Sequence, residues 1–185
     1  MAQRLTLILG GARSGKSDFA QALAQKRGGD AVVFVATAEA RDEEMRARIA
    51  AHRAHRPTVW QTIEAPRGVA RALQNGQGEP QVVVIDCLTL LVTNILLADE
   101  SGAEAQLIDE VDALIAWQRT HSVEMIVVSN EVGWGIVPEY PLGRAYRDRL
   151  GIFNQRVARQ ADEVFLMVAG LPLDVKMLAA RSFDV

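Results

Sequence analysis

A chain of 185 residues with 49% hydrophobic content and a formal charge of −3 is long enough for one domain with a sizeable core. Its near balance of 23 acidic and 20 basic residues lacks the electrostatic footprint of a general nucleic-acid binder. A single cysteine, Cys87, excludes an intrachain disulfide, and charged or turn residues interrupt every apolar run before it reaches bilayer-spanning length.

Met1 to Arg4 lead into the first predicted strand, Leu5–Leu9, with no secretory apolar region, so a cytoplasmic protein folding as one nucleotide-binding domain over 1–185 is expected. The strand runs into Gly10-Gly11-Ala12-Arg13-Ser14-Gly15-Lys16-Ser17, and a helix is predicted over Lys16 to Lys26. Glycine, four residues, then Gly-Lys-Ser between a strand and a helix is a phosphate-binding loop. Its glycines let backbone N–H groups turn toward a polyphosphate, and the helix N-terminus adds partial positive charge. Lys16 is expected at the β- and γ-phosphates and Ser17 on a magnesium ion, with ATP or GTP as the nucleotide.

The second predicted strand, Ala31–Ala36, ends at Thr37. A helix follows over Asp42–Arg53, acidic at its start, basic at its end and stopped by Pro57. Met45, Ile49 and His52 share one face of it, with Arg48 one turn before His52. Two readings of His52 stand: a neutral imidazole that attacks phosphorus among charge-stabilising arginines, or a helix-end histidine bonded to the last carbonyls. His55 has the second reading with less support for the first.

A short helix is expected at Gly68–Gln74 and a turn at Asn75–Gly78. Next comes the strand Val82–Ile85, ended by Asp86. An acidic residue in that position orients magnesium in phosphate-loop enzymes, and a solvated or helix-capping carboxylate is the alternative. Cys87 beside it reads as a small buried hydrophobe. Helices are predicted over Leu88–Ala98 and Glu104–Thr120 around a turn at Glu100–Gly102, with His121 at the surface. The strand Met125–Ser129 opens into a loop, Asn130–Pro138, that carries Trp134 either toward a large flat ligand or packed beneath the loop. A helix over Leu142–Ala161 and a strand over Val164–Val168 follow; the segment from Pro172 to Val185 shows no pattern. Strands alternating with helices predict an α/β fold: a doubly wound, mostly parallel sheet of the phosphate-loop type, with ligands at the carboxyl ends of the strands.

The phosphate loop, the Asp-Glu-Glu-Met helix with Arg48-Ile49 and His52, Arg56-Pro57, and Trp60 to Glu64 form one set of shared segments. Asp86 to Thr89, Thr93-Asn94, Asn130 to Pro138, Arg144 to Asp148, Asn154-Gln155 and Ala161 to Val164 continue it in order. Together they resemble the bifunctional adenosylcobinamide kinase / adenosylcobinamide-phosphate guanylyltransferase family of cobalamin biosynthesis. That resemblance implies phosphorylation of adenosylcobinamide and then transfer of GMP from GTP onto the new phosphate, with pyrophosphate released. It also implies a guanylylated histidine at the position of His52, where the preceding residue, a second histidine in some relatives, is Ala51. By the same resemblance Ala36, Thr37, Arg53, Ala54, His55, Arg56, Glu64 and Asp86 are expected at the nucleotide, and the protein is expected to be a homotrimer. A phosphate-loop kinase without nucleotidyl transfer would leave His52 idle. A regulatory nucleotide switch would need the Asn-Lys-x-Asp guanine-reading motif, which this sequence lacks.

Overall fold

The computed structural model describes residues 3–76 and 78–178, and the side chain of Arg48 is not among them. The predicted turn at Asn75–Gly78 includes Gln77, and the predicted patternless tail includes 179–185; both lie in part outside the described residues. The elements in chain order are β1 (Leu5–Gly10), α1 (Lys16–Gly28), β2 (Val32–Ala36), α2 (Glu43–Ala54), β3 (Gln61–Glu64), α3 (Val69–Gln74) and β4 (Val82–Asp86). They continue as α4 (Leu88–Ala98), α5 (Ala103–His121), β5 (Glu124–Val128), α6 (Pro141–Gln160), β6 (Glu163–Val168), β7 (Leu171–Asp174) and α7 (Val175–Leu178). The expected α/β architecture is the observed one.

All these strands join one sheet in the order β3-β2-β4-β5-β1-β6-β7, parallel except for β7, which runs antiparallel to β6. Two of them, β3 and β7, go beyond the strands expected from the sequence. Each has four residues at a sheet edge, none of them buried, so neither shows the alternation that marks a half-buried strand. Pro172 sits within β7, which an edge strand tolerates because one side of its ladder faces solvent.

Period-two alternation divides the core between the two sheet faces. Leu5, Leu7, Val33, Val35, Val83, Ile85, Met125 and Val127 face the helices α3 to α6. Ile8, Phe34, Val84, Ile126 and Val128 face α1, whose buried line is Ala20, Ala24 and Gly28. These small residues, one turn apart, let α1 lie close to the sheet. A Cβ added at Gly28 would stand 2.7 Å from Val82 Cγ2. The helix therefore holds Lys16 and Ser17, at its other end, hard against the strand tips.

On the opposite face, the Glu110 carboxylate of α5 caps the start of α3 from a distance in sequence. It accepts from Gly68 N–H at 3.1 Å, Val69 N–H at 2.5 Å and Ala70 N–H at 3.3 Å. Removing it leaves three helix-start donors without their acceptor. Glu110→Ala should lower the unfolding free energy by about 1–3 kcal/mol in a urea titration with unchanged slope. An unchanged midpoint would show that water replaces the cap at no cost.

Candidate active site

The phosphate loop leaves β1 at Gly10 and enters α1 at Lys16, with Gly15 in the left-handed region at φ 89°. A side chain at Gly15 would be strained by that backbone and would meet Gly170 Cα at 3.2 Å. The loop is stitched on both flanks. Gly170 N–H, in the turn between β6 and β7, donates to Ser14 O at 3.1 Å, and Glu131 N–H, beyond β5, donates to Gly10 O at 3.1 Å.

Lys16 folds back over its own loop, donating from Nζ to Gly11 O at 2.5 Å, and its burial lowers the ammonium pKa while the nearby Asp86 acts to raise it. Asp86 ends β4, two strand positions from β1 with β5 between. Burial pushes its carboxyl above the ordinary range, while the Ser17 hydroxyl beside it and the charges of His52, Arg56 and Lys16 pull the other way. Four expected site residues, Lys16, Ser17, His52 and Arg56, thus gather around the carboxylate of a fifth, Asp86.

His52 projects from the exposed last turn of α2. His55 on the same helix keeps to the helix-end role, with Nδ1 at 2.7 Å from Ala51 O. Arg56 lays its guanidinium over the Phe34 ring, 3.7 Å from the centroid. Its Nε is buried without a partner among the described residues, and desolvation lowers its pKa. An unsatisfied buried guanidinium N–H is costly, and this one is free to donate to an acceptor.

The peptide between Asp86 and Cys87 is cis. Thr37 is fully buried, and its hydroxyl is committed within the protein. It donates to Cys87 O at 2.7 Å and accepts from Cys87 N–H at 2.8 Å, while Thr37 N–H donates to Asp86 O at 3.2 Å. Through these bonds Thr37 clamps the backbone that presents Asp86. Asn94 of α4 completes the clamp, donating to Thr37 O at 2.8 Å and to Pro66 O at 3.1 Å and accepting from Arg41. Sequence reasoning misses this clamp, although an amide inside the apolar stretch Leu88–Ala98 is a signal of a buried polar partner. The Cys87 thiol, raised to about 11 by burial and by Asp86, is neutral at pH 7, in keeping with its reading as a small hydrophobe.

Ala36 and Glu64 lie in register with Asp86 across β2 and β3. Glu64 stands four strand positions from β1, roughly 19 Å at ordinary strand spacing. It is exposed and pairs with Arg53 at 3.7 Å, beside the exposed Ala54 that ends α2. The span from loop to Glu64 is that of an extended nucleotide, triphosphate at one end and base or ribose at the other. Gly11, Ala12 and Arg13 form the exposed lip of the loop. His121 lies elsewhere, with Nδ1 at 2.8 Å from Trp117 O and its ring stacked on that of Trp117.

Trp134 is not packed beneath its loop: it is 78% exposed, followed by Ile136 at 98%, Val137 and Tyr140. Such a run of solvent-facing apolar side chains marks a contact surface. Among the described residues no three His, Cys, Asp or Glu side chains converge as a metal cage, and no helix is long and apolar enough to cross a membrane.

The family model described as cobinamide kinase / cobinamide phosphate guanyltransferase matches residues 6–175. The chain is 44% identical over 170 residues to the bifunctional adenosylcobalamin biosynthesis protein CobP of Pseudomonas aeruginosa, covering 92% of this chain and 96% of that one. It is 39% identical to the bifunctional adenosylcobalamin biosynthesis protein CobU of Salmonella typhimurium, covering 93% and 99% respectively. Solved structures similar in fold include the RadB recombinase, with TM-score 0.51 and 17% identity over 89% of this chain and 74% of that one. A solved ATPase domain is similar at TM-score 0.54 and 16% identity, over 89% and 69%.

Proposed function

Because the chain belongs to the cobinamide kinase / cobinamide phosphate guanyltransferase family, we propose that the convergence on Asp86 is the place where both reactions occur, on adenosylcobinamide and its phosphate. The observation that carries this reading is that Lys16 from the phosphate loop, and His52 and Arg56 from the end of α2 and just beyond it, all act on the charge of one carboxylate next to Ser17. Residues 1–185 then serve as one nucleotide-binding catalytic unit.

In this reading the N–H groups of Gly10 to Ser17 cradle the triphosphate of ATP or GTP and Lys16 leaves Gly11 O for the β- and γ-phosphates. The hydroxyl of Ser17 and the carboxylate of Asp86 are hard oxygen donors, too few for a protein cage but suited to an ion that also takes phosphate oxygens. Magnesium bound there would neutralise charge developing on the phosphates. The spare Nε–H of Arg56 meets a phosphate oxygen, Thr37 and Ala36 shape the strand tips beneath the nucleotide, and Arg53 to His55 with Glu64 line its far end.

The first reaction presents the aminopropanol hydroxyl to the γ-phosphorus, which is chiefly a matter of positioning and charge neutralisation. In the second, a His52 ring nitrogen bonds to the α-phosphorus of GTP while the bond to the α,β-bridging oxygen breaks and pyrophosphate leaves. An oxygen of adenosylcobinamide phosphate then bonds to that phosphorus and the P–N bond breaks, returning the imidazole. The test is direct: GTP labelled at the α-phosphate should leave acid-labile, base-stable label on the protein. Label carried by acid-stable linkage, or none, rejects the histidine intermediate.

Trp134, Ile136 and Tyr140 offer a flat apolar face beginning beside the phosphate loop, fit for the corrin with Glu131 at its inner end. Trp134→Ala should raise the KM for cobinamide by about tenfold while nucleotide KM is unchanged. Equal KM for cobinamide in variant and parent would place the corrin elsewhere. The apolar edge formed by Leu171, Leu173 and Met177 is a separate exposed surface and suits a subunit contact in a homotrimer.

A further inference from the structure

Between the phosphate loop and Asp86 lies the tip of β5, and the ladder between β1 and β5 does not stop at Val128. Ser129 N–H donates to Ile8 O at 2.9 Å and Glu131 N–H to Gly10 O at 3.1 Å, the two-residue repeat of a continuing parallel pair. Side chains therefore keep alternating through 130. Val128 faces α1 and Ser129 faces α6, where its hydroxyl donates to Asn154 Oδ1 at 2.7 Å. Asn130 falls again on the α1 face, the face of Ser17 and Asp86.

Its backbone is held from both sides, so the side chain has a fixed origin. Asn130 N–H donates to Thr89 Oγ1 of α4 at 2.8 Å, and Asn130 O accepts from Asn154 Nδ2 of α6 at 2.9 Å. Thr89, Ser129 and Asn154 are all buried. The Asn130 amide itself is half-exposed, and the bonds that hold this residue are made by its main chain, which leaves the side chain available. A neutral donor on a rigid strand tip, set between Lys16 on one neighbouring strand's loop and Asp86 on the other neighbouring strand, stands where the terminal phosphate of a triphosphate in that loop would end.

We propose that Asn130 is a catalytic residue of the kinase reaction, its Nδ2–H donating to an equatorial oxygen of the γ-phosphoryl group in transit. This rests on the phosphate-loop reading above. In the step, the acceptor oxygen bonds to the γ-phosphorus as the bond to the β,γ-bridging oxygen breaks. The electron pair leaves on the nucleoside diphosphate, and the hydroxyl proton passes to solvent. A preformed donor aimed at the moving group stabilises the transition state more than the ground state. In guanylyl transfer the γ-phosphorus undergoes no substitution and leaves within pyrophosphate, one phosphate removed from the bond that breaks, so the same donor matters less there.

The experiment compares both activities in Asn130→Ala, Asn130→Asp and Lys16→Ala, with adenosylcobinamide and its phosphate as acceptors. The main-chain bonds at 130 survive side-chain truncation, so folding is expected to persist. Asn130→Ala should lower kcat for phosphoryl transfer by about 100-fold at similar nucleotide KM, and guanylyl transfer by less than a tenth of that factor. Asn130→Asp, with a carboxylate against phosphate, should be slower still. Equal loss in both activities, as a displaced loop would give, or kinase activity within threefold of the parent, overturns the proposal. If Lys16→Ala leaves both activities intact, the phosphate-loop reading fails first and takes this one with it. A loss confined to Lys16→Ala removes Asn130 alone.

Discussion

Replacing His52 with alanine should reduce guanylyl transfer by at least about 10³-fold while phosphoryl transfer falls by less than about tenfold. The asymmetry follows from where the two electrophiles lie. The γ-phosphorus is attacked by the substrate's own hydroxyl, and Lys16 and Ser17 that serve it lie on the opposite side of the Asp86 carboxylate's neighbourhood from α2. In the proposed covalent route the α-phosphorus takes its nucleophile from the protein, and His52 is the imidazole whose charge acts on Asp86. His55 is tied through Nδ1 to Ala51 O, and it is not among the groups whose charge acts on Asp86. Separate assays with cobinamide plus ATP and with cobinamide phosphate plus GTP measure the split. Parallel loss of both activities would mean that His52 shapes the pocket instead of carrying GMP.

Asp86→Asn should produce opposite effects on activity and on stability. Both metal-dependent rates should fall by about 10²–10³-fold, because an amide cannot supply the charge that holds the ion. The free protein should nevertheless melt higher, by about 2–4 °C for each kcal/mol relieved in a chain of this length. Burial raises the Asp86 carboxyl, so the folded state disfavours its ionised form. Below the ordinary carboxylate value of about 4, folded and unfolded chains both carry the proton and no penalty exists. As pH rises, the unfolded chain ionises first and gains stability that the native state lacks until its own, higher value is passed. The thermal advantage of the asparagine variant should accordingly be absent near about pH 3 and full at neutrality. Calorimetry without nucleotide at both pH values checks it, and a variant that melts lower at neutrality would show that the carboxylate's partners outweigh its burial.

What is legible in the sequence is whatever is local. Gly10 to Ser17 announce themselves because spacing, strand and helix are contiguous, and Asp86 is visible as a carboxylate at the end of an apolar run. The five longer strands are visible because burial imposes a pattern on them. The short edge strands, Gln61–Glu64 and Leu171–Asp174, are half solvent-facing and carry none. Residues whose meaning depends on distant partners are least legible. Thr37, expected at the nucleotide, spends its hydroxyl on Cys87, 50 positions away. Asn94 reads as an oddity in an apolar helix until Thr37 O and Pro66 O appear beside it. The approach of His52 to Asp86 joins segments 34 residues apart, which helix periodicity on α2 alone does not foretell.

The placement of β1 has a consequence for the order in which the molecule is made. Its two neighbours in the sheet are β5 and β6, residues 124–128 and 163–168, and the turn at Gly170 holds Ser14 from beyond them. The phosphate-loop motif is complete once the ribosome has translated the codon for Ser17, yet its supports are made much later, from residues 124–128, 163–168 and 170. A chain that stops before residue 163 carries the whole motif but lacks one of the two strands that flank β1 and the turn that holds Ser14.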